Sequence, residues 1–158
     1  MNQRSLIPRD QGLNANEAAR QAVLMYSRVV AIVGRSNDHY YTSYDVGAYL
    51  QQHGYIVYSV NPNIEEVDGE HVYASLSEIP AQVDVVNVFR KSQFLPQIVD
   101  QAIAIGAPTV WAQLSVISDE ARDKARRAGL NYAENLCMRT EHERLFSQSS
   151  SYQHPINE

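Results

Sequence analysis

The sequence lacks most of the features that announce a chemistry. One cysteine, Cys137, stands among 158 residues, so no internal disulfide forms, which fits a reducing compartment. There is no H-E-x-x-H and no Cys–His ligand cluster, which removes the familiar zinc sites. There is no G-x-S-x-G, which removes the serine nucleophile on a strand–turn–helix elbow. No basic block stands out and the net charge is −5, so no nucleic-acid footprint is expected. No apolar run approaches the length of a membrane span, and MNQRSLIPRD at the N-terminus is too polar for a signal peptide. The expectation is a soluble cytoplasmic protein, monomer or homodimer, whose partner is a small molecule.

What the sequence does contain is a regular alternation. The chain reads as one domain with ordinary hydrophobic content, 44%. Residues 1–13 read as a loose polar arm, 14–146 as the domain, and 147–158 as a polar, apolar-poor tail expected to be disordered. Asn14 with Glu17 three residues on predicts a capped helix start. VVAIV (29–33), YIVYSV (55–60), VDVVNVF (83–89), PTVWAQ (108–113) and LNYA (130–133) predict five strands, three of them nearly all apolar, as strands buried on both faces are. Between them lie helices expected to be capped by Ser43, Ser92 and Ser118 and closed by Gly54, Gly106 and Gly129. A last helix is expected over 139–146. Strand–helix alternation predicts an α/β fold: a Rossmann-like, doubly wound, mostly parallel five-stranded sheet with helices on both faces, in the order 3-2-1-4-5. Ligands of such sheets bind outside the carboxyl ends of the strands, at the switch point.

The strand-ending segments therefore carry the functional question. After the first strand comes Gly34-Arg35-Ser36, without the second glycine of G-x-G-x-x-G. Gly34 permits close approach, Ser36 adds a hydroxyl, and the helix begun at Ser43 turns its free N–H groups to the same space. Gly47 is placed to let that helix pack closely on the sheet. The second strand ends at Asn61-Pro62 with no acid, which is a poor match for a free ribose diol read by Asp or Glu about 20 residues beyond the glycine loop. No Lys or Arg occurs between Arg35 and Arg90, so a phosphorylated ligand has Arg35, Arg90 and Lys91 as its expected cations.

Taken together, VVAIVGRS, the pair Ser43-Tyr44, HGYIVYSVNP, VDVVNVFRKS and VWAQLSV with a later Cys resemble the stand-alone CoA-binding domain family, which is similar to the N-terminal CoA-binding domain of succinyl-CoA synthetase alpha subunits. The resemblance spans roughly residues 16–146 and implies coenzyme A or an acyl-CoA as ligand. It implies Gly34, Arg35 and Ser36 near the pyrophosphate, Asn61 and Pro62 near the adenosine, and Phe89 and Arg90 flanking the nucleotide. Trp111 and Gln113 are implied near the pantetheine path or supporting the end of the fourth strand. There are departures. A basic residue before the Ser-Tyr pair is replaced by His39-Tyr40-Tyr41-Thr42, where Tyr40 or Tyr41 is placed to stack on adenine; Ser115 stands for a glycine; and Asn135-Leu136-Cys137 stands for D-R-C.

No catalytic residue is expected. His142, between Glu141 and Glu143, reads as a solvated surface residue, and Cys137 as an inert, partly buried thiol, or one that pairs with the thiol of CoA. In succinyl-CoA synthetase a second domain supplies the phosphorylated histidine, so the resemblance implies binding without the ligase reaction. Two other readings stand beside it. One is an NAD(P)-dependent oxidoreductase, on fold alone. The other is a partner-binding protein with a vestigial nucleotide pocket, suggested by the changes at Tyr41, Ser115 and Leu136.

Overall fold

A computed structural model of the chain describes residues 3–146, so the expected disordered tail 147–158 lies outside the described residues. Five α-helices form: α1 (Glu17–Tyr26), α2 (Thr42–Gln52), α3 (Leu95–Ala104), α4 (Asp119–Arg127) and α5 (Met138–Phe146). They cover a sheet built from β1 (Val29–Val33), β2 (Ile56–Val60), β3 (Glu66–Val67), β4 (Glu70–Tyr73), β5 (Val85–Val88), β6 (Thr109–Ala112) and β7 (Asn131–Ala133). The class is the expected one, α/β with a mostly parallel sheet and helices on both faces, but the described residues form seven strands rather than five.

The order is β3-β4-β2-β1-β5-β6-β7, which corrects the expected 3-2-1-4-5. The reason lies between β2 and β5, where no α-helix forms. Instead the chain makes a hairpin that turns at Asp68-Gly69, both with positive φ (51° and 83°). β4 returns parallel to β2, pairing Ser59 with Val72 and Val60 with Tyr73. That slot is then filled, and the next long strand, β5, pairs with the other side of β1. The switch point consequently lies between β1 and β5.

β1 and β5 are buried along their whole length, as their apolar sequences, broken only by Asn87 in β5, lead one to expect. Val29, Ala31, Val33 and Val86 face one core with Leu95, Ile98, Val99 and Ala102 of α3 and Ala121 and Ala125 of α4. Val30, Ile32, Val85 and Trp111 face the other, with α1, α2 and α5. The alternation along each strand thus divides the two cores.

Several local expectations move. Asn16, not Asn14, caps α1, its side chain accepting from Ala19 N at 3.0 Å; Asn14 instead donates to Glu134 O across the fold. Ser118 caps α4 as expected. Ser92 is the first residue of a short 3-10 turn and accepts from Ile117 N at 2.9 Å rather than capping α3. His142 is 1% exposed, because α5 turns it onto α2, where its Nδ1 lies 2.8 Å from the Tyr49 hydroxyl. Burial pushes that tyrosine up to about 12. No helix among the described residues is long and apolar enough to cross a membrane.

Over its described residues, from 3 onward, the N-terminal arm is not loose. Gly12 pairs in parallel with Tyr132, Tyr132 N donates to Gln11 O at 2.9 Å, and Leu13 N donates to Tyr132 O at 2.8 Å. The segment covers the open edge of β7, which a sheet must protect. Leu13 is fully buried, and Arg4 pairs with the buried Asp84, whose carboxylate also accepts from Arg28 N and Val29 N. Leu13→Ala should therefore lower stability by about 3 kcal/mol in urea unfolding. A change near zero would return the arm to a loose segment.

Candidate ligand-binding site

The site begins with the turn out of β1. Gly34 has φ 90°, and its N–H donates to Val60 O at 2.8 Å. A Cβ on Gly34 would stand 2.7 Å from Phe89 O, closer than a real Cβ comes to a backbone atom. Glycine is thus required twice, by conformation and by approach. The turn sits where β1 is flanked by β2 and β5, and two hollows meet across it.

The larger hollow has a volume of about 500 Å³ and opens on the α3 side. The ends of β1, β2 and β5 line it through Gly34, Asn61, Pro62, Phe89 and Arg90, together with Ala74, Ser75 and Leu76 beyond β4. From the turn before α3 comes Phe94, and from the helix itself Gln97, Ile98 and Gln101. Gln97 and Gln101, four residues apart, share one helical face. The arginine lies over the Phe94 ring, 4.4 Å from its centroid. It is the single Lys or Arg among the residues lining this hollow. The smaller hollow, about 370 Å³, is lined by Gly34, Ser36, Tyr41, Thr42, Ser43 and Phe89 at the start of α2.

At that helix start Tyr41 is the N-cap residue and makes no side-chain cap. Ser43, expected to cap, lies in the first turn, where its Oγ accepts from Ser36 N at 2.9 Å. Ser36 Oγ accepts from Asp38 N at 3.0 Å. Each hydroxyl keeps one proton to donate, and the uncapped first turn adds N–H groups and the positive end of the helix dipole. Together these form an anion-accepting hollow. The loop is tied to the hairpin turn: the Tyr44 hydroxyl donates to Asp68 Oδ2 at 2.6 Å, and His39 Nε2 lies 3.5 Å from Asp68 Oδ1. The tyrosine hydrogen bond holds the Asp68 carboxyl below its ordinary range.

Gly34, Ser36, Tyr41, Ser43, Asn61, Pro62, Phe89 and Arg90 thus come together around the two hollows. Arg35, Trp111 and Gln113 do not line them. Arg35 is 2% exposed; its guanidinium runs under α2, donating to Ser59 Oγ at 3.1 Å and Tyr44 O at 3.2 Å. Burial lowers its pKa. Gly47 makes the room, since a Cβ there would lie 2.3 Å from Arg35 Cζ. This differs from both expectations: the Arg35 side chain does not line the hollow at the start of α2, and the space left at Gly47 is filled by that arginine. Trp111 is fully buried in the α1/α2/α5 core and donates through Nε1 to Leu136 O at 3.1 Å, bracing the strand end. Gln113 is 6% exposed, and its Oε1 has no hydrogen-bond partner among the described residues. Tyr40 is 85% exposed, and neither it nor Tyr41 lines the larger hollow. The cavity residues not anticipated, 74–76 and the two glutamines, lie in the hairpin exit and on a helix where periodicity marks only the apolar face. Four-residue spacing of the glutamines was the available signal.

Beyond β6, Ser115 occupies the left-handed region with φ 70°, and its N–H donates to Asn135 Oδ1 at 2.8 Å; Asn135 is itself left-handed, φ 56°. Cys137 is half-buried against the α1/α2/α5 core. Among the described residues no group of three or more His, Cys, Asp or Glu is placed to hold a metal.

A model of the CoA binding domain family matches residues 28–143. The chain belongs to that family. Coenzyme A or an acyl-CoA is accordingly its ligand class. The uncharacterized protein YneT of Bacillus subtilis is 34% identical over 129 residues, covering 82% of this chain and 96% of the relative. A hypothetical protein from Pyrococcus horikoshii has a solved structure that superposes with a TM-score of 0.80 at 40% identity, covering 82% of this chain and 92% of that one. A shorter stretch, 71 residues at 38% identity, matches the alpha subunit of an ADP-forming acetate–CoA ligase from Pyrococcus furiosus, 44% of this chain and 16% of the subunit.

Two substitutions probe this local structure. Gly47→Ala should cost about 1–3 kcal/mol through overpacking against Arg35, and much of that loss should vanish in an Arg35→Ala background when urea midpoints are compared. Ser115→Gly should raise stability by about 1 kcal/mol by removing a left-handed L-residue; a loss on thermal unfolding would contradict the strain.

Proposed function

We propose that the chain binds coenzyme A or an acyl-CoA across the carboxyl ends of β1, β2 and β5 and acts as a binding module. The adenosine takes the larger hollow between Asn61-Pro62 and α3. The diphosphate passes over Gly34 to the hydroxyls of Ser36 and Ser43 and the first turn of α2, with Arg90 as its cation. The pantetheine then leaves along the β5–β6 side. What carries this reading is the glycine turn, whose missing Cβ joins an anion-accepting helix start to a nucleotide-sized hollow. Arg35 supports it in a negative way: with that guanidinium committed under α2, the charge at the cleft falls to Arg90.

Titration calorimetry with CoA, acetyl-CoA and NAD should give heat with the first two and weaker or no binding with the third. No heat and no thermal shift at millimolar CoA would end the proposal. Arg90→Ala should weaken CoA binding at least about tenfold, since a charge-assisted hydrogen bond contributes about 1.5–3 kcal/mol. Its effect on folding should stay within about 1 kcal/mol, because Arg90 makes no ion pair among the described residues.

A further inference from the structure

We propose that the site accepts its ligand with the adenosine ribose unphosphorylated, so that dephospho-coenzyme A binds at least as well as coenzyme A. This rests on the reading above, in which a CoA-type ligand lies with its ribose at the end of β2.

The 3′-phosphate is what separates the two ligands, and a phosphate monoester adds about 1.5 to 2 negative charges at neutral pH. Recognising it takes Lys or Arg at the ribose. None occurs in sequence between Arg35 and Arg90. Arg35 is buried and turned away from the hollow. Arg90 lies at the Gly34 end of the cavity, where the reading above assigns it to the diphosphate, and no second Lys or Arg lines the cavity.

The surroundings of the β2 end carry the opposite charge. A third hollow, of about 630 Å³, shares Asn61, Pro62 and Ala74 with the one on the α3 side and is lined by Glu65, Glu66 and Glu78, with His71 as its one basic side chain. Asn61 is already used: its Nδ2 donates to Arg35 O at 2.9 Å and its Oδ1 accepts from Asn63 N at 2.9 Å. The hairpin that carries Glu66 is held toward the Gly34 loop by the Tyr44–Asp68 hydrogen bond and by Asn37 Nδ2 donating to Glu66 O at 3.4 Å. The tip of β2, Asn61-Pro62, carries no acid and on sequence is a poor match for a ribose diol. The fold corrects this by placing Glu65, Glu66 and Glu78 around it, and carboxylates accept from free ribose hydroxyls, as they do at the second strand of dinucleotide sites. Toward a phosphate they are repulsive, and a surface location screens that repulsion without reversing it.

The test is titration calorimetry of the full chain with CoA and with dephospho-CoA, on the wild type and on Asn63→Arg. Asn63 is an exposed residue of the cavity rim whose backbone contact survives the change. The wild-type dissociation constants should lie within about threefold of each other or favour dephospho-CoA. Asn63→Arg should shift the ratio about tenfold toward CoA, the worth of one charge-assisted contact. A wild type that binds CoA tenfold more tightly overturns this proposal and leaves the CoA reading standing. A ratio unmoved by Asn63→Arg overturns it too, because the ribose then lies elsewhere. Binding of neither ligand removes both.

Discussion

Three strand ends converge on one residue without a side chain. Gly34 turns the chain out of β1 while its N–H holds Val60 O at 2.8 Å, and the space its Cβ would fill is closed by the Phe89 carbonyl. β2 and β5 are thereby drawn together over the end of the strand that separates them. The hollow on the α3 side and the hollow at the start of α2 exist as one cleft because this turn is narrow. Any other residue would force β5 away or abandon the turn, and the cleft would divide.

The same loop settles how charge is distributed. An arginine directly after such a turn invites assignment to a phosphate, yet its guanidinium lies under α2 against Ser59 and Tyr44. Burying an arginine is costly unless its donors are met. Gly47 supplies the volume and two oxygens supply partners, while Nε remains without one. The result is a cleft with one arginine, an uncapped helix start on one side and three carboxylates around the second strand's end.

Much of the fold was legible in the residues, for a physical reason. VVAIV and VVNV read as central strands because strands buried on both faces tolerate nothing polar for long. Gly54, Gly106 and Gly129 read as helix ends because the left-handed region there favours glycine, and all three have positive φ. EVDGEHVY did not read as two strands. Its pieces are two and four residues long with exposed, charged side chains, so neither length nor periodicity marks them. The expected strand order failed with them, because β4 takes the slot beside β2. His142 was misread for a related reason. Its glutamate neighbours look solvated, but Glu141 is itself drawn inward to Arg20 at 2.9 Å, and that pairing is made across 121 residues.

By itself the sequence determined what local physics can encode: the α/β alternation, the glycine turn after β1, the strand-end segments Asn61-Pro62 and Phe89-Arg90, and the resemblance they carry together. Hydrophobic period and positive φ act within a few residues, so they can be read in one dimension. Tertiary structure alone decided which side of β1 receives β5, that the N-terminal arm covers β7, that Trp111 braces a core, and that Arg35 turns inward while Arg90 stays at the cleft. Each of those outcomes depends on which distant surface fills a slot or supplies a partner first. Such competition for space and hydrogen bonds has no period along the chain.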